Sequence, residues 1–364
     1  MLNLANISVV LPSLDPDDKL IAVVNGLLEY GFTDIILVND GSNPNNLHFF
    51  ETAAQHPQVH LLHHPENRGK GAALKTAFQW FLENRPQASG VITVDGDNQH
   101  HPEDTRACAL RMLETGNIIL GARAFNQADV PSRSRFGNKV TCGIFKLFVG
   151  MKLSDTQTGL RAIPRSALEQ FINIPGDRFE YETNMLLFMK AQSLPFEEVK
   201  IRTVYIEENK SSHFRAVRDS WRIYKLILAH FFKYTASSLF TSLIDEVLHT
   251  LLTIALCDVL LGWKLSAVTI LGARLVSSLL NFFLNHKLVF HSSEKLGTAL
   301  GKYYVVAFPV AILQFAGTEG IYRLLNVGEE LVFLRSVYHM LVMVALYFVS
   351  FLVQQRWVFS RSKK

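Results

Sequence analysis

Cysteine is scarce in this chain: Cys108, Cys142 and Cys257 are scattered through 364 residues. Their spacing makes neither a zinc-type set nor a disulfide framework, so they read as packing residues. Charge of one sign is lacking too. The net charge is only +4, and no basic stripe alternates with base-stacking aromatics, which argues against nucleic acid as a partner. No Ser-His-Asp set is evident. The chain runs directly into strand-like residues, so a cleavable signal peptide is not expected, and the first domain is expected to stay in the cytoplasm. Long hydrophobic runs are missing from the first two-thirds and dominate from about Tyr234 onward.

The most informative stretch is Val91-Ile92-Thr93-Val94-Asp95-Gly96-Asp97. A β-branched run bounded by Gly90 and Gly96 fits a buried strand. Residues at the carboxyl end of a parallel strand face the ligand crevice of an open α/β sheet. Two carboxylates there, on a glycine-loosened turn, suit a hard divalent cation that also grips phosphates. The alternative is a surface turn with two solvated acids.

The neighbouring sequence alternates strands and helices. Ile7 to Leu11, Asp34 to Val38, Val59 to Leu62 and Val91 to Val94 read as strands; Asp17 to Tyr30 and Gly71 to Asn84 have helical spacing. This order implies a parallel, doubly wound sheet. Polar residues collect after each strand, and those loops are expected to line one crevice.

Four of these loops carry a resemblance. Pro12-Ser13-Leu14-Asp15, Asn39-Asp40-Gly41-Ser42, Asn67-Arg68-Gly69-Lys70-Gly71 and Asp95-Gly96-Asp97 resemble, in order and spacing, the successive motifs of family 2 glycosyltransferases. The resemblance covers most of the first 200 residues and implies a GT-A fold, a Rossmann-like doubly wound α/β domain. It implies that Pro12, Asp15 and Asp40 hold the nucleoside of a nucleotide sugar, that Asp95 and Asp97 hold the diphosphate through Mg2+ or Mn2+, and that Lys70 and Gln99 belong to the same donor site. Asn39 departs from the commoner acidic residue, which leaves the base open. Physically, a leaving nucleoside diphosphate gains negative charge that a divalent ion stabilises. Lys70, between two glycines, offers a cation where backbone must come close; its alternative is an ordinary loop lysine before a helix. Gln99 and His101 are possible partners of the carboxylates, and His100 and His101 also fit solvated loop residues.

Further along come Gly121-Ala122-Arg123, Pro131-Ser132-Arg133-Ser134-Arg135 and Asp155 to Arg161. These resemble the acceptor-side segments of family members that act on polyprenyl phosphates. Arginine suits them because its planar fork binds phosphate bidentately. Arg123 and Arg133 are expected at the reaction centre and Arg161 at the acceptor phosphate, with Arg135 on the surface. Glu180 and Glu182 are a possible sugar-binding pair or an acidic helix start. A hydroxyl acceptor needs a general base. A phosphate monoester, with a second pKa of about 6, is already largely ionised. Asp155 is the best carboxylate if a base or an orienting group is used.

The next segment leads towards apolar sequence. Val217, Trp221, Tyr224 and Leu228 share one helical face beside Arg218, Arg222 and Lys225. That pattern fits an amphipathic helix on an anionic leaflet, or a soluble helix packed on the sheet. Lys210, His213 and Arg215 stand where a lipid phosphate would emerge, and are assigned to acceptor binding. Four apolar stretches follow: Tyr234 to Leu256, Leu265 to Asn285, Tyr303 to Leu325 and Leu331 to Val353. Each can cross a hydrocarbon core of ~30 Å. Lysines and histidines between the second and third stretches, and Arg361 to Lys364 at the end, place both termini in the cytoplasm.

An internal repeat marks these stretches. Asn281 to Phe290 matches Ser350 to Phe359 in pattern, each closing a hairpin. This resembles the GtrA-like membrane family, which is linked to movement or presentation of polyprenyl-linked sugars. Asp245 and Arg274 fall at similar depths, ~16 and ~18 Å from the inner ends of their stretches, and are expected to touch.

The expected architecture is thus a GT-A catalytic domain (1–205), an amphipathic juxtamembrane segment (206–233) and an all-α transmembrane domain of four helices (234–360). The expected activity is metal-dependent, inverting transfer of a hexose from a nucleotide sugar (UDP-glucose or GDP-mannose type) to undecaprenyl or dolichyl phosphate at the cell membrane. The rivals are a transferase to a hydroxyl acceptor, and a lipid-linked-sugar flippase or scaffold whose soluble domain only binds.

Overall fold

The computed structural model describes residues 3–125, 130, 132–202, 221, 224–256, 258–259, 263–290, 292, 294–326 and 332–359. The chain divides into two compact units, 1–227 and 228–364.

The first unit is built on a seven-stranded sheet. Its strands are β1 (Ile7–Ser13), β2 (Ile35–Asn39), β3 (Val59–His63), β4 (Gly90–Thr93), β5 (Ile118–Arg123), β6 (Arg161–Pro164) and β7 (Phe196–Ile201), in the order β3-β2-β1-β4-β6-β5-β7. Both faces are covered, so the central strands are near-continuous apolar runs. Alternate residues serve opposite faces. Val10, Ile36, Val38, Val91 and Leu120 join one core with Phe78 and Phe81, while Val9, Leu11, Ile35, Leu37, Ile92 and Ile119 join the other. The helices are α1 (Lys19–Glu29), α2 (Leu47–Ala53), α3 (Lys70–Asn84), α4 (Pro102–Thr115), α5 (Ser132–Ile144), α6 (Arg165–Phe171) and α7 (Glu180–Ala191). Cys108 is buried on α4, where burial pushes its thiol up to about 12, in keeping with a packing role.

The sheet corrects one expectation: it is not wholly parallel. β6 runs antiparallel to both β4 and β5, pairing Val91 with Ile163 and Leu120 with Arg161. The cause is local. The chain reaches β6 from the loop at the crevice end of the sheet, so it enters the sheet from that end. The Thr93 hydroxyl fixes this entry by donating to the Gly159 carbonyl (2.6 Å) and accepting from the Arg161 N–H (3.2 Å).

Among the described residues the second unit holds four long helices: α8 (Ala229–Leu256), α9 (Trp263–Leu284), α10 (Leu296–Leu324) and α11 (Val332–Val353). They stand where four apolar stretches were read. One of them, over Phe231–Leu256, is long and apolar enough to cross a membrane among the described residues. The repeat has a structural counterpart. α9 and α11 each run on into a π-helical turn, Asn285–Val289 and Gln354–Val358. The equivalent residues Asn285 and Gln354 meet each other (3.4 Å), and the equivalent Phe290 and Phe359 stack with centroids 5.2 Å apart. Along α8, Leu239, Leu243, Val247, Leu251 and Ile254 are all exposed. Their three- and four-residue spacing makes a continuous apolar stripe on the outside of this unit.

Candidate active site

The loops after β1, β2 and β4 open at the carboxyl edge of the sheet, where an α/β fold places its ligand crevice. Lys70, the first residue of α3, reaches into the loop after β4. Its Nζ lies 2.7 Å from Asp95 Oδ1 and 3.1 Å from Glu182 Oε2 on α7. Gly69 makes this approach possible: its φ is +102°, and a Cβ there would stand 2.4 Å from the Asp177 carbonyl oxygen. The other Asp95 oxygen faces His100 Nε2 at 3.4 Å. It also lies against Gly159, where a Cβ would come within 2.3 Å of it.

The electrostatics follow from this crowding. Burial alone would raise the Asp95 carboxyl, but the Lys70 ammonium and the His100 ring outweigh it and hold the group well below the usual carboxylate range. For Lys70, burial works downward, and Asp95 and Glu182 override it to raise the amine. Asp97 is shifted the other way, upward, by burial and then by the Asp95 charge. Its Oδ1 accepts the Gln99 N–H at 3.1 Å. Asp95 and Asp97 are thus two acids that disfavour ionising together.

Asp40 and Asp15 build the loops around this cluster. Asp40 is buried, and its oxygens accept the N–H groups of Arg68 (3.0 Å) and Gly69 (2.8 Å). His64 Nδ1 lies 2.7 Å from the same carboxylate, and its Nε2 lies 2.9 Å from the Thr76 hydroxyl. Asp40 therefore shapes the turn that delivers Lys70. Asp15 is exposed at the crevice with a φ of +45°, accepting the Asn43 N–H at 2.7 Å while its own N–H donates to the Ser42 hydroxyl at 2.9 Å. Pro12 is buried within β1.

In the segments expected to face the acceptor, Arg123 and Asp155 grip each other. Nε and Nη2 of Arg123 donate to the two Asp155 oxygens at 2.6 and 3.1 Å, and the Gln157 N–H adds a third bond at 2.9 Å. Arg161 is buried rather than presented to a lipid headgroup. Its Nε donates to the Thr158 carbonyl (3.0 Å) and its Nη1 to the Glu182 carbonyl (2.7 Å), so it ties β6 to the start of α7. Arg135 is exposed, as read. The Arg133 side chain, and Lys210, His213 and Arg215, lie outside the described residues.

Three features of the site were not legible beforehand. His100 is buried beside Asp95 rather than solvated, while His101 caps α4 by accepting the Glu103 N–H at 3.2 Å. Glu182 shares Lys70 with Asp95 across 87 positions of sequence. Gly159 is the cradle for Asp95. Only the acid-rich start of α7 gave a signal for any of these.

The donor set suits a divalent ion. Among the described residues no group of three or more His, Cys, Asp or Glu side chains can hold a metal by itself. Magnesium commonly takes only one or two carboxylates and completes its shell with phosphates and water. Two adjacent acids that resist joint ionisation would gain from such a charge.

Residues 8–172, which include Lys70, Asp95, Asp97, His100 and Gly159 but not Glu182, match the glycosyl transferase family 2 model. An uncharacterised protein of Methanocaldococcus jannaschii is 29% identical over 236 residues, covering 64% of this chain and 95% of that one. The UDP-N-acetylglucosamine–dolichyl-phosphate N-acetylglucosaminyltransferase of Methanococcus voltae is 26% identical over 219 residues (55% and 86%). The undecaprenyl-phosphate mannosyltransferase of Micrococcus luteus is 26% identical over 134 residues (36% and 54%). With that match lying over most of its sheet, and relatives of this kind, this chain is a glycosyltransferase.

Proposed function

We propose that this protein transfers one hexose from a nucleotide diphosphate sugar, of the UDP-glucose or GDP-mannose type, to a polyprenyl phosphate. Asp95 and Asp97 would hold Mg2+ or Mn2+, and the anomeric carbon would invert in a single displacement. The observation that carries this reading is the half-buried Lys70–Asp95 pair at the crevice, with Asp97 beside it. The two relatives above that are named as transferases to dolichyl or undecaprenyl phosphate support the acceptor class.

The residues divide the work. When bound, the ion would act as a Lewis acid on the departing diphosphate. Lys70 adds a second positive charge at the same place, held there by the Gly69 turn. Asp15 stands at the crevice mouth, placed for the donor nucleoside, and Asp40 fixes the loop behind it. Asp155 has both oxygens committed to Arg123 and the Gln157 N–H. A carboxylate so occupied is poorly placed to take a proton, which favours an acceptor that arrives already ionised, as a phosphate monoester does. Arg123 and Arg133 would orient that phosphate.

The second unit would serve as the membrane anchor, with the catalytic unit on the cytoplasmic side. The exposed apolar stripe on α8 supports this, because so continuous a patch is costly in water. Lys210, His213 and Arg215 would then meet the lipid phosphate at the bilayer surface.

The test is transfer of radiolabelled sugar from UDP-glucose and GDP-mannose into an organic-extractable lipid, with and without Mn2+. Product released by mild acid identifies a sugar phosphate; acid-stable product would move the acceptor to a hydroxyl. Full activity in a folded Asp97→Ala variant would falsify the metal role.

A further inference from the structure

Lys70 sits on the carboxylate proposed above to hold a metal cation. It lies within 2.7 Å of Asp95, its side chain is 18% exposed, and Glu182 holds its other side at 3.1 Å. The backbone at the start of α3 is closely packed, because Cβ atoms at Gly69 and Gly71 would run into Asp177 and Tyr181, and this sets where the Lys70 side chain begins. On Asp95, Oδ1 is taken by the ammonium and Oδ2 is boxed in by His100 and Gly159.

From this geometry we infer that Lys70 is a resident counter-cation that a divalent ion must displace from Asp95, so that ion and diphosphate bind as a coupled pair. The inference rests on the metal role proposed above for Asp95 and Asp97. Like charges a few ångströms apart in a poorly hydrated site repel strongly. An ion arriving alone would meet the ammonium on the same carboxylate. An ion arriving with a diphosphate brings the negative charge that lets both cations stay. Glu182 supplies the place to which the ammonium withdraws. One of its oxygens already holds Lys70, and the other, Oε1, is buried with no hydrogen-bond partner. The ammonium therefore need only swing towards α7, where it faces the phosphates.

The test reads ion binding directly, by Mn2+ electron paramagnetic resonance on the full-length protein in detergent. Wild type is expected to bind Mn2+ alone weakly and to gain at least about tenfold in affinity when inorganic pyrophosphate is added. Lys70→Met is expected to bind Mn2+ alone about tenfold more tightly than wild type and to lose most of the pyrophosphate effect. Lys70→Arg keeps the charge and is expected to behave like wild type. A folded Lys70→Met protein with wild-type affinity for Mn2+ alone would overturn the inference. So would wild-type affinity that pyrophosphate leaves unchanged, which needs no variant. If no protein binds Mn2+ with or without pyrophosphate, the metal role itself fails, a result distinct from both.

Discussion

Arg274 Nη2 lies 3.2 Å from Asp245 Oδ2, joining α9 to α8, and the Ser277 hydroxyl donates to the other Asp245 oxygen at 2.6 Å. The partners are unequal: the Asp245 side chain is 19% exposed and that of Arg274 is 70% exposed. Removing the exposed partner should therefore cost little, about 0.5–1 kcal/mol for Arg274→Ala. Asp245→Ala loses both bonds and leaves the Ser277 hydroxyl only the Arg274 carbonyl 3.2 Å away, so it should cost more, about 1–2 kcal/mol. Thermal unfolding in detergent checks the order. Melting temperatures equal to wild type in both variants would mean the pair contributes nothing.

The Arg123–Asp155 pair should behave differently, because Asp155 is almost fully buried. Truncating Arg123 to Ala strands a buried carboxylate and should cost about 3–5 kcal/mol. Arg123→Ala with Asp155→Asn should recover part of that loss, since no charge is then left unpaired. Activity should stay low in the double variant if Arg123 also orients the acceptor. Melting temperature and transfer rate, measured on the same three proteins, separate the structural role from the chemical one.

The first of these pairs shows where sequence was readable; the contact of Arg123 with Asp155 was not read from it. Asp245 and Arg274 were legible because helical rise converts residue number into depth. Strands β1, β2 and β4 were legible because two-sided burial leaves nearly continuous apolar runs, while β3, half-buried at the sheet edge, showed only through its short Val59-to-Leu62 run. β6 was hidden: it is four residues long, begins with an arginine, and enters the sheet from its crevice end, where one threonine hydroxyl on β4 ties it. Arg161 and Asp40 drew attention as charged groups in crevice loops. Charge at such a place serves a ligand or the loop's own backbone, and the choice depends on partners distant in sequence. Asp40 is bonded to residues 24 to 29 positions away, and Arg161 to a carbonyl 21 positions away. No local pattern encodes those distances.

Gly159→Ala should be a severe change for a single methyl group. The added carbon would stand 2.3 Å from Asp95 Oδ2, so the carboxylate must move. If Asp95 holds the ion as proposed, displacing it by about 1 Å can cost about 10²-fold in rate. The expected result is a loss of that order in kcat with a folded protein. Gly116→Ala is the control. Gly116 has a φ of +69° and open space around it, so that change should lower stability by about 1–2 kcal/mol and leave turnover unchanged. Equal turnover in both variants would show that Asp95 tolerates displacement.

Asp97 sets up a trade between stability and function. Burial, then the Asp95 charge, raises its carboxyl, against the smaller opposing effects of the Gln99 N–H, His100 and Lys70. A carboxyl whose folded pKa exceeds its unfolded value near 3.9 costs stability once pH rises above that unfolded value, because folding then forces an unfavourable ionised form. Asp97→Asn removes the charge. At pH 7 without metal the variant should therefore melt above wild type, by roughly 2–4 °C for each kcal/mol relieved. The difference should shrink as pH falls and vanish below about pH 3.5, where both states of the wild-type group are protonated. Mn2+ with pyrophosphate should reverse the order, because binding to the native state stabilises only the protein that keeps the ligand. A variant that melts below wild type at pH 7 without metal would show that Asp97 is already neutralised in the empty site.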